Sequence, residues 1–157
     1  MKLFHGSNWR INEIDLNKSH PNKDFGRAFY LSEEYAQAEE MAKFKAVIEG
    51  GEPIVNEFIF DEAYLNNNEL HVCYFKDYSE EWAHFVFANR DAATEFAHDY
   101  NIVYGPIAND KVGRQITNFK EGYISFEEFL TRLKYMKGIT FQYAFCTEKA
   151  ISKLQAI

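Results

Sequence analysis

Cysteine and proline are scarce in this sequence, and their scarcity excludes several kinds of protein. The two cysteines, Cys73 and Cys146, lie far apart in separate apolar runs, without a C-x-x-C pair or a histidine at ligand spacing. We therefore expect reduced core thiols rather than a disulfide, a metal site or a nucleophile. The three prolines are isolated, and no linker or repeat divides the chain. We expect a single domain over residues 1–157.

Positive charge and long apolar runs are also limited. Lys and Arg number 17 against 24 Asp and Glu, which gives a formal net charge of -7, and basic residues never cluster beyond a pair. This composition argues against a surface that follows nucleic-acid phosphates, although it leaves room for a local basic groove. The sequence also lacks a signal-peptide core and an apolar run long enough for a membrane span. We expect a cytoplasmic protein with no membrane partner.

Several catalytic signatures are missing as well. The sequence contains no G-x-S-x-G, no P-loop, no H-E-x-x-H and no Gly-rich dinucleotide fingerprint after a strand. The five histidines are scattered without ligand spacing, so we expect no metal.

The hydrophobic pattern predicts strands and helices in irregular order. Strands are predicted in "KLFHGS", "AFYLS", "PIVNEFIF", "ELHVCYF", "NIVYGP" and "ITFQYAFC". One helix is predicted after Ser32, which is its cap, and is closed by Gly50 and Gly51, and a second is predicted in "SEEWAHFVFANR". A third is predicted in "SFEEFLTRLKYMK", where it begins with a capping box from Ser125 to Glu128 and stops at Gly138. Because the two kinds of element do not alternate regularly, an α+β fold with a largely antiparallel sheet is favoured.

Three short segments remain as candidates for chemistry. His5 and Ser7 share a face of the first strand, and Gly6 between them exposes backbone that a ligand amide could approach. Tyr30 follows a Gly-containing turn, and Gln142 points away from the most apolar face of the late strand. Each residue alone has an ordinary structural explanation. Together they suit a planar, polar ligand held between a backbone edge and an aromatic ring.

The first two segments resemble a known signature. "LFHGS", followed by "FGRAFY" and the helix "SEEYAQAEEMA", is similar to the nicotinamide-binding motif H-G-[ST] … F-G-x-G-x-Y of ADP-ribosyltransferases of the diphtheria-toxin and poly(ADP-ribose) polymerase type. Ala28 replaces the second glycine of that motif. The chain is also identified as a member of bacterial domain-of-unknown-function family 3990, through "LFHGS", "NKDFGRAFYLS", "IVNEFIF", "NIVYGPIAND" and "QYAFCTEKAI".

The resemblance implies an ADP-ribosyltransferase-like split sheet, largely antiparallel and flanked by helices, that holds NAD+ as substrate. His5 would bind ribose hydroxyls, the Gly6 backbone would pair with the nicotinamide carboxamide, and the Tyr30 ring would stack on nicotinamide. Tyr30→Phe should then be mild. The cofactor-binding residues that the two motifs imply are His5, Gly6, Ser7, Phe25, Gly26 and Tyr30.

The third catalytic position of these enzymes is usually Glu, and two alignments are open here. If Gln142 takes that position, the site keeps a hydroxyl-binding group without the charge, as in a mono-ADP-ribosyltransferase. If Gln142 instead matches the Gln of the toxin motif Q-x-E, Ala144 takes the catalytic position. Glu148, at a predicted helix start, is a poor substitute. For Asp110 and Arg90, a solvated structural role is favoured over an accessory one.

The leading hypothesis is therefore a mono-ADP-ribosyltransferase, with His5, Tyr30 and Gln142 as catalytic residues, acting as the toxin of a toxin–antitoxin pair. Its acceptor, a macromolecule or a small molecule, is not specified by the sequence. A non-catalytic NAD+ or ADP-ribose binding module and an NAD+ glycohydrolase are the alternatives. An RNA 2'-phosphotransferase is a further one, but it needs basic residues around the pocket, and the low Lys/Arg count argues against it.

Overall fold

The structure is a computed structural model that describes residues 1–91 and 97–157. These residues contain five α-helices and seven β-strands. The strands are β1 (Lys2–Ser7), β2 (Phe29–Leu31), β3 (Ile54–Phe60), β4 (Val72–Tyr74), β5 (Ile102–Pro106), β6 (Phe141–Phe145) and β7 (Leu154–Ala156). The helices are α1 (Tyr35–Glu49), α2 (Glu80–Arg90), α3 (Asp110–Lys120), α4 (Phe126–Lys134) and α5 (Glu148–Ile151). Short 3-10 turns lie at Leu16–Lys18 and Glu62–Leu65.

The strands form two sheets, in the orders β1-β3-β7 and β2-β6-β5-β4. Every pairing within the described residues is antiparallel except that of β4 with β5. The predicted α+β class with largely antiparallel pairing is therefore confirmed. None of the helices in the described ranges is long and apolar enough to cross a bilayer.

The two sheets touch along one short edge and then separate. Phe4 and Ser32 exchange backbone hydrogen bonds of 2.8 and 2.9 Å, which link β1 to the end of β2. If this antiparallel ladder continued, Gly6 and Tyr30, two residues further along, would form the next hydrogen-bonded pair. There the Tyr30 carbonyl accepts a hydrogen bond from the His5 ring instead, at 2.7 Å. A side chain thus takes the carbonyl that the next backbone pair would have used, and a cleft opens between the sheets.

Apolar side chains form two cores. One lies under α2, α3 and α4 and includes Trp82 and Phe129, whereas the other lies between the sheets and includes Leu3, Phe60 and Phe145. All five side chains are fully buried. Burying a side chain of this size contributes about 1.5–3 kcal/mol, so these cores hold the rims of the cleft in fixed positions.

Helix α1 lies directly against β1, and Gly6 makes this contact close. A Cβ at Gly6 would clash with the Ala38 carbonyl oxygen and lie 2.7 Å from the Ala42 backbone nitrogen. Ala38 and Ala42 are themselves buried, so small side chains meet on both sides of the contact. Helix packing therefore requires the glycine, independently of any ligand.

Two helix boundaries and one whole helix differ from expectation. Ser32 is not the cap of α1, because the helix begins two residues later, after Glu34, and the Ser32 hydroxyl accepts from the Glu34 N–H at 2.9 Å. Helix α4 ends at Lys134, before Gly138, although its predicted cap by Ser125 is present. Helix α3, capped by Asn109, was not predicted. Its signal was present as Asn109 followed by Val112 and Ile116, four residues apart.

Candidate functional site

A cavity of about 620 Å³ fills the cleft between the sheets. His5 and Gly6 reach it from β1, Tyr30 from β2 and Gln142 from β6, so the cavity unites residues that are distant in the sequence. Its remaining walls come from the loop before β2, from α1, from the end of α2 and from the β5–α3 region.

His5 is held as a neutral ring. Its Nδ1 lies 2.7 Å from the Tyr30 carbonyl oxygen, which can only accept, so Nδ1 carries the proton and donates. The ring stacks on Phe29 with the centroids 4.3 Å apart. Burial, assisted by the positive charge of Lys45, lowers the pKa of His5 to about 3. The unprotonated Nε2 is therefore an acceptor, suited to a ligand hydroxyl.

The Tyr30 hydroxyl is bound to the preceding turn. It donates to the Gly26 carbonyl oxygen at 2.7 Å and accepts from the Phe25 N–H at 3.1 Å. Burial raises the pKa of Tyr30, so the phenol keeps its proton. Gly26 has a φ of 82°, and a Cβ there would lie 2.8 Å from Asn89 Oδ1. The turn that precedes Tyr30 therefore positions the Tyr30 ring through its hydroxyl. The expectation of a mild Tyr30→Phe variant did not take these two hydrogen bonds into account.

The other motif residues lie beside the cavity rather than on it. Phe25 is fully buried, packs parallel to Tyr30 with centroids 6.3 Å apart, and with Gly26 is not among the residues that line the cavity. Ser7 is also buried and lines a second cavity of about 290 Å³ beneath the loop before β2. His5 and Tyr30 line both cavities and form part of the wall between them.

Gln142 and Ala144 occupy different surroundings. Both lie on one side of β6, but Gln142 is partly exposed and lines the cavity, whereas Ala144 is fully buried. Ala144 pairs with Tyr30 in the sheet register, and continuing that register brings Ser32 opposite Gln142. Of the two residues that the sequence left open for the third catalytic position, Gln142 is the one that reaches the cavity.

Gln37 adds a polar group that sequence reasoning missed. Its Oε1 accepts from the Ser32 hydroxyl at 2.6 Å. Its Nε2 is buried and has no hydrogen-bond partner within residues 1–91 and 97–157. Because Gln37 lines the cavity, its amide can donate to a ligand there.

The cavity wall carries an excess of positive charge. Within residues 1–91 and 97–157, its charged residues are Lys23, Lys45, Arg90 and Lys120 against Asp24, four cations to one carboxylate, in a chain whose formal net charge is -7. Asp110, by contrast, is exposed at the start of α3 and does not line the cavity. The overall scarcity of Lys and Arg is therefore no argument against a basic pocket, and the wall is suited to an anionic ligand.

Two of these lysines already contact the motif residues. Lys45 Nζ donates to the Gly6 carbonyl oxygen at 3.0 Å, and Lys23 Nζ lies 5.2 Å from the centroid of the Tyr30 ring. Burial lowers the pKa of both lysines. Lys23 lies in the family block "NKDFGRAFYLS" but outside the nicotinamide-binding motif, Lys45 lies in neither, and no spacing in the sequence selected them as a pair.

Asp24 joins three segments at one side of the cavity. Its carboxylate accepts from Arg90 Nε at 2.6 Å and from the Ala108 N–H at 2.8 Å. Both side chains of the ion pair are largely buried, at 28% exposure for Arg90 and 11% for Asp24. Arg90 is thus a paired, structural charge rather than the solvated residue that was expected.

The fold and the site define an α+β protein whose two sheets separate around a polar, cation-lined cavity. The family model described as "Protein of unknown function (DUF3990)" matches residues 1–156, and the chain belongs to that family. The family membership expected from the sequence blocks is thus confirmed. Comparison with curated proteins and with solved structures found no match. No group of three or more His, Cys, Asp or Glu within the described residues could hold a metal ion.

Proposed function

We propose that this protein is an NAD-dependent mono-ADP-ribosyltransferase with the split-sheet fold of that class. The observation that carries the proposal is the convergence of His5, Gly6, Tyr30 and Gln142 on one cavity between two separating sheets. We further propose that it acts in the cytoplasm as a toxin countered by an antitoxin protein, as the family resemblance implies.

Each wall of the cavity fits one part of NAD+. His5 Nε2 is an acceptor for a hydroxyl of the nicotinamide ribose, because Nδ1 is already used on Tyr30. The backbone N–H and C=O of Gly6 point to the same edge of β1 as those of Phe4, and this edge suits the nicotinamide carboxamide. The Tyr30 ring forms the stacking surface. The cations of the wall suit the diphosphate.

Gln142 determines how strongly the site promotes cleavage. Breaking the bond between nicotinamide and ribose develops positive charge on the sugar, and a carboxylate nearby would stabilise it. The amide of Gln142 binds a hydroxyl but supplies no negative charge. We therefore expect slow transfer that depends on the acceptor, with little free hydrolysis of NAD+.

The first experiment tests the reaction and identifies the acceptor class. The purified protein is incubated with NAD+ labelled in the ADP-ribose part and with a cell lysate, and the product is digested with nuclease or protease. Nicotinamide release with label on a macromolecule supports a transferase. Nicotinamide release with free ADP-ribose as the labelled product indicates a glycohydrolase, label on a small molecule other than ADP-ribose indicates transfer to a small-molecule acceptor, and binding without release indicates a non-catalytic module. If NAD+, nicotinamide and ADP-ribose all fail to shift the melting temperature, every one of these proposals is wrong.

A second experiment tests Gln142 directly. Gln142→Ala should lower turnover by roughly 10²–10³, the loss typical of removing one preorganised group from a transition-state site. Gln142→Glu restores a charge at the same length and should raise NAD+ cleavage. Gln155→Glu, at an exposed position in β7, adds the same charge far from the site as the matched control. Unchanged turnover in both Gln142 variants would remove this residue from the mechanism.

The cluster of cations also favours a second candidate, an RNA 2'-phosphotransferase that uses the same NAD+ site. This reaction requires basic residues around the pocket, and four basic side chains line the cavity although Lys and Arg are few in the sequence as a whole. An RNA oligonucleotide with one internal 2'-phosphate, incubated with NAD+, distinguishes the two functions. Loss of that phosphate supports the phosphotransferase, whereas its retention together with labelled lysate acceptors supports the mono-ADP-ribosyltransferase.

A further inference from the structure

Two lysine ammonium groups occupy the contacts that the proposed function reserves for nicotinamide. Lys45 donates to the Gly6 carbonyl, the group assigned to the carboxamide. Lys23 lies over the Tyr30 ring, the surface assigned to the nicotinamide ring. A cation beside each contact repels the positively charged nicotinamide ring of NAD+, so this arrangement of the two lysines is unfavourable to the reactive end of the substrate.

The present contacts stabilise the two ammonium groups only weakly. Each lysine contributes to the walls of both cavities, and partial burial lowers the pKa of both, although Lys45 is only half-buried and the Lys23 side chain remains exposed. The Gly6 carbonyl and the Tyr30 ring are neutral partners, which compensate an ammonium group poorly. Among the described residues, the carboxylate on the wall of the first cavity, Asp24, is already bound by Arg90, and Glu49, on the wall of the second cavity, attracts Lys45 without forming an ion pair with it. An anionic ligand would therefore offer each lysine a stronger partner than the one it has.

We propose that Lys23 and Lys45 exchange partners when substrate binds: they leave the Tyr30 ring and the Gly6 carbonyl and bind the diphosphate, which vacates the nicotinamide subsite. This inference rests on the proposed function, since it takes NAD+ as the substrate. Access to the nicotinamide contacts therefore depends on the diphosphate. Ligands that carry a diphosphate open the nicotinamide contacts, whereas free nicotinamide must displace the lysines without offering them a partner.

The exchange has a consequence for specificity. Nicotinamide alone should bind weakly and inhibit poorly as a product, whereas ADP-ribose should bind well. Removing either ammonium group should then change the two affinities in opposite directions. A lysine that only stabilised the fold would weaken both ligands, and a lysine that only bound phosphate would leave nicotinamide unchanged.

The test measures the dissociation constants of nicotinamide and ADP-ribose by calorimetry for the wild type, Lys23→Met and Lys45→Met. Methionine keeps an unbranched chain of similar length without the charge. Lys43→Met, on the exposed side of α1 where Lys43 pairs with Glu39, is the matched control. We expect ADP-ribose to bind roughly tenfold or more weakly in each cavity variant, the loss of a charge-assisted hydrogen bond, and nicotinamide to bind several-fold more tightly. The control should change neither affinity.

Wild-type protein provides a measurement that does not depend on any variant. Its affinity for ADP-ribose should fall as the salt concentration is raised from about 50 to about 500 mM, whereas its affinity for nicotinamide should not fall. If ADP-ribose binds but nicotinamide binds no more tightly in the two variants, the exchange is wrong and the proposed function stands. If ADP-ribose and NAD+ do not bind at all, the proposed function and the exchange both fail.

Discussion

Replacing Tyr30 by phenylalanine separates the two roles of this side chain. The variant keeps the ring that faces the cavity and removes the hydroxyl, which bonds to both the Gly26 carbonyl and the Phe25 N–H. Phe25 is fully buried and Gly26 is buried beside it, so water does not readily replace either bond. Leaving a buried donor or acceptor unsatisfied costs about 1–3 kcal/mol. With two such groups, we expect the unfolding free energy to fall by about 2–6 kcal/mol.

The measurement is urea denaturation followed by tryptophan fluorescence, with NAD+ binding measured in the same preparations. Tyr135→Phe is the matched control, because Tyr135 is 74% exposed and should change the unfolding free energy by less than about 0.5 kcal/mol. We expect Tyr30→Phe to retain part of the NAD+ affinity through its ring and Tyr30→Ala to lose nearly all of it. If Tyr30→Phe were as stable as the wild type, the hydroxyl would not anchor the turn, and the assignment of the turn as the support of the ring would be wrong.

Three further changes test other parts of the site. Gly6→Ala should destabilise by about 1–3 kcal/mol, since the added methyl group meets the α1 backbone, whereas Gly113→Ala, in an open position of α3, should be neutral or stabilising in the same denaturation assay. Asp24→Ala should cost about 2–4 kcal/mol, somewhat less than a fully buried pair because Arg90 is 28% exposed, and a melting temperature equal to the wild type would contradict the role of this ion pair. His5 has a folded pKa of about 3, below the 6.5 of the unfolded chain, so the unfolded state binds the extra proton between these values and stability falls with acid in that range. Between pH 6.5 and 5 this amounts to about 1.6 kcal/mol, and His5→Asn, which keeps a donor for the Tyr30 carbonyl, should lose that part of the pH dependence in urea titrations.

Local patterns in the sequence were sufficient for most of the elements. Period-two alternation in "ITFQYAFC" predicted both β6 and the opposite orientations of Gln142 and Tyr143, and the capping box at Ser125 predicted the start of α4. These signals depend on residues a few positions apart, which the chain brings together wherever it folds. The motif residues His5, Tyr30 and Gln142 were selected in the same way, each from its own segment.

The character of the cavity depends instead on contacts between distant segments. Lys23, Lys45, Arg90 and Lys120 lie in four different parts of the chain, and no local spacing relates them. Their convergence follows from the separation of the two sheets, which begins where the His5 ring takes the Tyr30 carbonyl. The sequence alone thus determined most of the elements, although not α3, and the motif residues that they carry. Tertiary structure decided that an acidic protein surrounds those residues with positive charge, because only packing brings separate cations to one wall.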